Sequence, residues 1–568
     1  MQLLVAAVLV LPLVVGVVRA LIDQRSAPSG DVSLMEVRVR DVGPATPLLG
    51  SYGRYGFNHP GPLLFYVLAI PYRLAGSRFV GMEVGTLLLG GLSVAAIAWV
   101  AHRRGGPRLL LWAGLLLGVL VQGIGPTWLA DPWEPHGLLL PCAALVVLAF
   151  DAFAGRPWTL LAASATAALL AQAQATLLPF AVAMGGLALT GTVAVVVRAP
   201  DRRAPALRAI GAAVLLTGVL WVPTVVEQLT REPGNLTAMS EAPDRPEPVL
   251  GLADGARLVA MQLGERAPWL GWATPLVLFE PTVDVSAAPL VPVGAVALAL
   301  ALVVAAWRRL PAGLLALTAA VAAFVGALAL SRLIGPPYVW IPQWTRSLGF
   351  ACWLAVGWVV ATALPKRARD LARAPTTAVL LVTVVALSAA NALDAATDEG
   401  VDDPLARTVA ALVAEAAPAL EALDDPVLAS STATPDVIFG GGAPVGLEAL
   451  VLRLELAGVT TVVDEAAAGR FGPERARPTL AGAELRLALE RSPVPAGFER
   501  IATADPLTEA QRAERLLLLE SIGLGDEATM GDVVDEVFLD PSLRQVGERL
   551  STFSDLPRFA LLLADPRP

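Results

Sequence analysis

The residues best suited to chemistry crowd the first polar stretch of the chain. Residues 29–76 read SGDVSLMEVRVRDVGPATPLLGSYGRYGFNHPGPLLFYVLAIPYRLAG, and Asp31, Glu36, Arg38, Arg40, Asp41, Arg54 and His59 all fall there. A carboxylate within hydrogen-bond reach can take a proton from an attacking group. An arginine can hold an anion as charge develops on it. Asp31 is the candidate base; its other reading is a cap on the first turn of a loop helix. Glu36 lies five residues on, about 140° round a helix and off the face of Asp31. It either binds substrate or pairs with Arg40 at i,i+4. Arg54 is a candidate substrate contact, and His59 either joins it or holds the turn before the next apolar segment.

Three further stretches add candidates. Residues 125–137, GPTWLADPWEPHG, bring Asp131, Glu134 and His136 into one Trp-rich turn. With Asp31 they offer oxygen and nitrogen ligands that suit a divalent cation. His136 can equally cap a helix. Gln172 and Gln174 sit at the end of an apolar run, where polar groups face a cavity or bond to a neighbouring helix. Arg332 and Arg346 flank an aromatic, Pro-rich turn at 331–349, and either bind an anion or snorkel to headgroups. Cys142 and Cys352 lie in apolar runs, so there is neither a disulfide framework nor a cysteine zinc site. Gly440, Gly441 and Gly442 lack the neighbours of a phosphate loop and read as a strand-to-helix connection.

Positioning these residues falls to an apolar scaffold. Of 568 residues, 55% are hydrophobic and only 16% charged, with a mean hydropathy of +0.64. A soluble domain carries about 25% charged residues, and a disordered chain more. Both classes are excluded, and repeated runs near twenty residues predict a polytopic helical membrane protein. Eleven spans are expected, near 3–21, 80–101, 109–125, 137–153, 158–176, 179–197, 209–228, 289–307, 312–332, 348–364 and 376–393. The first is read as a retained anchor, since it lacks the basic start of a signal peptide. Residues 62–75 are too short to cross and are read as an interfacial helix.

Charge orients the spans. The short loops 102–108, 154–157, 198–208, 307–310 and 366–373 are basic, which places them in the cytoplasm. The longer loops 22–61, 229–288 and 333–347 and the tail then lie outside, where Trp128, Trp133, Trp269, Trp272, Tyr338, Trp340 and Trp344 gather as interfacial aromatics do. The net charge of -9 divides unevenly: residues 394–568 hold 31 acids against 14 arginines, for -17, and residues 1–393 carry +8. Two domains follow: 1–393 in the membrane, with loop 22–61 and helix 62–75, and an acidic extracytoplasmic α/β domain at 394–568. In the tail the patterns predict a helix over 404–423, strands at DPVLASS and TTVVDE, and a helix at GLEALVLRLELAG.

The stretch 29–104 resembles the GT-C superfamily of membrane glycosyltransferases, of the protein O-mannosyltransferase and lipid A aminoarabinose transferase type. The matching features are an acid soon after the first helix (Asp31), the turn His59-Pro60-Gly61-Pro62, and the segment LLFYVLAIPYRLAG. Val32 stands where the family often has a second acid, and Gly61 interrupts its His-Pro-Pro turn. The resemblance implies a bacterial cytoplasmic-membrane enzyme with its active site outside. It would move a hexosyl or pentosyl group (mannose or arabinose in named relatives) from a polyprenyl-phosphate donor to an envelope glycan, lipid or protein. It also implies that a late-loop arginine, Arg346 ahead of Arg332, holds the lipid phosphate, and that a divalent ion is required in some members only. A transporter or flippase of a lipid-linked sugar, or a scaffold docking an envelope partner through the acidic tail, are the rival readings. Partners in nucleic acid are not expected.

Overall fold

In a bilayer only internally bonded backbone is stable, and the apolar runs of this chain fold accordingly into helices. The computed structural model describes residues 2–53, 56–241, 248–277, 281–365, 367, 373–423, 426–433, 445–476, 482–525, 528, 530–551, 553 and 558–564. Arg54 and Gly440–Gly442 lie outside the described residues. The chain is a polytopic α-helical membrane protein with a small C-terminal sheet. Contacts divide it into two compact units: 1–25, 46–276 and 282–400 form the first, and 26–45, 277–281 and 401–568 the second. The loop 22–61, read from the sequence as one piece of the membrane domain, is thus divided, with 26–45 packing among residues of the tail.

In the first unit, eight helices among the described residues are long and apolar enough to cross a membrane. One of them, Val80–Ile124, has 45 residues and breaks at Gly106, whose φ of 67° is followed by Pro107, between the two spans expected there. Thr159–Ala173 and Val293–Trp307 are apolar helices of 15 residues each, so every expected span falls on a helix. The basic loops 102–108, 154–157 and 198–208 meet at one end of this unit. Asp151, fully buried, receives hydrogen bonds from Arg103, from Arg104 and from Thr159 Oγ1 at 2.6 Å. Arg202 donates to the Gly155 carbonyl at 2.6 Å, and Arg308 to that of Ala363.

Residues 62–75 form the helix Leu63–Leu74, at 12 residues too short for a crossing. Its buried face, with Phe65, Leu68 and Tyr72, lies on Val80–Ile124. Glycines make the close approach: a Cβ at Gly81 would stand 2.4 Å from Tyr72 Cα and 2.6 Å from the Pro71 carbonyl. Backbone cannot yield as a flexible side chain can. Gly81→Ala is therefore expected to cost about 1–3 kcal/mol by overpacking, read as a lower melting temperature of the purified protein, whereas alanine at the open position Gly211 leaves it unchanged.

The second unit is built on a five-stranded mixed sheet: β1 (Val427–Ser431), β2 (Thr461–Val462), β3 (Glu484–Leu489), β4 (Glu499–Ala504) and β5 (Phe559–Ala564), in the order β2-β1-β3-β5-β4. β1 runs parallel to β2 and β3, and β5 antiparallel to β3 and β4. The helices Pro404–Glu415 and Leu447–Leu456 and the first two strands fall where the sequence places them. Asp403 caps the first helix, accepting from Ala406 N at 2.9 Å and from Ser29 N at 2.7 Å. Helix Asp31–Asp41 packs against Leu447–Leu456, and Arg475 locks it there through Asp41 at 2.8 Å and Glu455 at 2.6 Å.

Candidate active site

Opposite the basic end of the first unit, the turn 125–137 is built for polar display. Gly125, at φ 84°, stops the long helix, and the short helices Pro126–Ala130 and Glu134–Gly137 follow. Asp131 sits between them. One of its oxygens accepts from Trp133 N at 3.0 Å, a local Asx bond that sets the turn. The other meets His136 Nδ1 at 2.6 Å. The His136 ring stacks on Trp128 (4.5 Å, 5°) and stands edge-on to Trp133 at 5.3 Å.

Arg346, the first residue of helix Arg346–Ala363, completes the group. Its guanidinium lies 5.4 Å from the centre of the Trp128 ring, within cation–π range. It donates through one Nη to the Gly123 carbonyl, while its Nε has no partner among the described residues. The residue is only 5% exposed, and among the described residues no carboxylate pairs with it. Arg346 is thus a buried cation with donor capacity and charge left over. Asp131, His136 and Arg346 come together; Arg332 instead stands exposed at the end of Gly313–Ser331. Glu134 is buried and takes a hydrogen bond from Ser51.

A second polar cluster lies at the end of helix Thr159–Ala173. His59 Nδ1 accepts from Ala175 N at 3.3 Å, and Gly61 N donates to the Gln172 carbonyl at 3.1 Å. Gln172 donates to the Leu220 carbonyl at 2.9 Å, but its Oε1 has no partner, nor have Gln174 Oε1, Thr176 Oγ1 and Thr224 Oγ1, among the described residues. A Cβ at residue 61 would stand 2.3 Å from Gln172 Oε1, so the glycine inside this turn is a packing requirement.

A third group was not singled out in the sequence. Asp398 accepts from Thr127 Oγ1 at 2.5 Å and from Arg25 at 3.1 Å, and its carbonyl accepts from Arg25 at 2.6 Å and Arg19 at 3.3 Å. Glu83, buried, stands 4.0 Å from Arg25 with one oxygen unpartnered among the described residues. Arg19, Arg25, Glu83 and Asp398 line a small cavity of about 20 Å³, and the group ties the start of the 125–137 turn to the ends of two spans. An acid inside an apolar helix start, as at Glu83, is the one signal that could have found them. Asp398 lies past the expected end of the last span and Arg25 in a polar loop, so neither stood out.

Asp31 and Glu36 belong to the second unit. Asp31 is the exposed first residue of its helix, where the helix dipole favours a negative charge. Glu36 is buried, and its charge acts on Arg453. Arg40 lies 3.9 Å from Glu455, an inter-element pair in place of the anticipated i,i+4 pair. Among the described residues no group of three or more His, Cys, Asp or Glu side chains is placed to hold a metal ion. The ligand set suggested by sequence, Asp31, Asp131, Glu134 and His136, is not assembled as such: Asp131 is engaged by His136, and Glu134 by Ser51.

No family model and no curated protein sequence matches the chain. Solved structures align with it. Two of them are ArnT from Cupriavidus metallidurans bound to undecaprenyl phosphate, with 16% identity and a TM-score of 0.46 over 86% of this chain and 93% of that one, and the same protein in the apo state, with 16% identity and 0.46 over 84% and 91%.

Burial pushes the His59 imidazole down to about 4 from an ordinary value near 6.5. A depressed histidine penalises the folded state once protonated. Its contribution is complete above pH 6.5 and is lost as pH falls towards 4. Thermal melts across that window are expected to show falling stability, and His59→Gln to flatten part of the fall; an unchanged slope would remove His59 from this role.

Proposed function

We propose that this chain is a GT-C-type glycosyltransferase of the bacterial cytoplasmic membrane, moving a sugar from a polyprenyl-phosphate donor to an envelope acceptor on the extracytoplasmic face. The observation that carries this reading is Arg346. An uncompensated guanidinium in an apolar bundle is costly unless an anion joins it. A lipid phosphate supplies that anion at the depth where the residue lies, opposite the arginine-rich loops that the charge rule places inside. Arginine's planar fork suits phosphate oxygens, and the Trp128 ring and Gly123 carbonyl hold it in place before a ligand arrives.

In the reaction, the bond between the anomeric carbon and the phosphate oxygen breaks, and one from that carbon to the acceptor oxygen forms. The bonding pair leaves on the phosphate, where Arg346 stabilises it more strongly than in the bound donor. The acceptor proton passes to a carboxylate, and Asp31, exposed and at a helix start, is our candidate. Glu134 and Arg332 are proposed substrate contacts, as are Glu36 and Arg54, while Asp131 and His136 orient the ring on which Arg346 rests.

Arg346→Ala is expected to lower sugar transfer by about 10²–10³-fold, and Arg346→Lys to recover only part, since the charge remains but the fork is lost. Asp31→Asn should cost about 10²–10⁴-fold with donor binding retained. Product from radiolabelled polyprenyl-phosphate sugar in proteoliposomes is the readout. Flipping of that lipid without any product would replace the enzyme reading with a transporter.

A further inference from the structure

The helix that carries Trp128 is too short to place itself. Pro126–Ala130 has five residues, and a helix of that length is not stable alone. Its backbone is closed by Leu129 N, which donates to the Gly125 carbonyl at 3.1 Å, and by Asp131 N, which donates to the Thr127 carbonyl at 3.2 Å. Pro126 has no N–H to add. Placement therefore depends on what the side chains reach. Among the described residues, one side-chain hydrogen bond leads from this helix to another segment: Thr127 Oγ1 donates to an Asp398 oxygen at 2.5 Å. That distance belongs to a bond between a hydroxyl and an ionised carboxylate.

Asp398 is fixed in turn. It follows the last span, Arg373–Thr397, directly. Its second oxygen accepts from Arg25 Nη1 at 3.1 Å, its carbonyl accepts from Arg25 Nη2 at 2.6 Å, and Arg25 also donates to Asp23 at 2.9 Å. The chain leaves the first unit after Arg25 and after Gly400, so this clamp closes both exits. Two observations give it a further part. The last span is already joined to the long helix by Asn391, which donates to the Gly118 carbonyl at 2.9 Å. Thr127, moreover, holds both sides of the shelf beneath Arg346. Trp128 follows it in the chain, and its carbonyl takes the N–H of Asp131, the residue that fixes His136.

We propose that Thr127 and Asp398 are positioning residues for the anion site at Arg346. The bond from hydroxyl to carboxylate sets the Trp128 ring, and the ring sets the guanidinium 5.4 Å from its centre. Cation–π attraction depends on the cation standing over the ring face, and a small misplacement of a binding group costs a large factor. Both residues act through Arg346 and not on the phosphate itself. The proposal rests on the lipid-phosphate reading of Arg346 given above.

The dissociation constant of the full-length protein for undecaprenyl phosphate is measured in detergent micelles. Thr127→Val keeps the side-chain shape and the Arg25–Asp398 pair but loses the donor, and is expected to bind about tenfold more weakly. Thr127→Ala, which adds no bulk, is expected to match it, and Thr127→Ser, which keeps the hydroxyl, to bind as the wild type does. In the Arg346→Ala background Thr127→Val is expected to change nothing further, because the two residues act in series. A merely structural loss would instead add to that of Arg346→Ala. Wild-type affinity in both Thr127→Val and Thr127→Ala, or an additive loss in the double variant, overturns the positioning role; a weakened Arg346→Ala then still supports the phosphate reading. Wild-type affinity in Arg346→Ala removes the phosphate reading and the positioning role with it.

Discussion

A guanidinium buried without a carboxylate organises the candidate site. Most arginines of the first unit are either exposed or paired. Arg346 is neither, and its surroundings make sense as devices for tolerating it. A helix-terminal carbonyl, at Gly123, gives it one hydrogen bond. The face of Trp128 gives it a diffuse negative potential. His136 stacks on that indole, and Asp131 fixes His136. Each contact is weaker than an ion pair, and together they hold the charge without neutralising it. Neutralisation is left for whatever anion arrives.

The basic end of the same helices shows the contrast. There, Asp151 is buried so completely that it would be untenable alone, and two arginines and a threonine satisfy it. Such a closed set fixes helix register and offers nothing to a ligand. The two ends therefore use the same residue type in opposite ways. The Asp398 group is intermediate: two arginines, a threonine and a nearby buried glutamate form a hub whose ion pairs join segments hundreds of residues apart. Its mechanical effect falls on Thr127, next to Trp128, and so on the shelf beneath Arg346.

What the sequence revealed and what it hid divide by range. The apolar helices are local in origin, because runs of apolar residues mark them, and each was legible as a helix. The break at Gly106-Pro107 was legible for the same reason. Asp131 and His136 are five residues apart in one turn, so their convergence could be read directly. The partners of Arg346 could not: Gly123 and Trp128 lie more than 200 residues upstream, and nothing in either segment names the other. The sheet was half legible. β1 and β2 were read from their β-branched or apolar runs, whereas β3, β4 and β5 were not, and the pairing of β3 with β5 joins 484–489 to 559–564. The grouping of Asp31–Asp41 with the tail depends on Arg475, 434 residues from Asp41. Position in the chain suggested that the segment belonged with the membrane helices, but its ion pairs tie it to the tail's own helices.

The buried cation and the buried amide and hydroxyl oxygens occupy different places in the membrane unit, and dielectric physics gives a reason. In a medium of low polarity, a cation draws any acceptor within reach, since its field is weakly screened. Amide and hydroxyl oxygens beside Arg346 would be consumed by it, and would dilute the charge available to an anion. In the Gln172 cluster, Gln172 Oε1 and Thr224 Oγ1 face the backbone of Gly61 instead. The close packing of Gly61 against Gln172 and Thr224 then takes on a second meaning. It keeps the turn that carries His59 tight against the end of helix Thr159–Ala173.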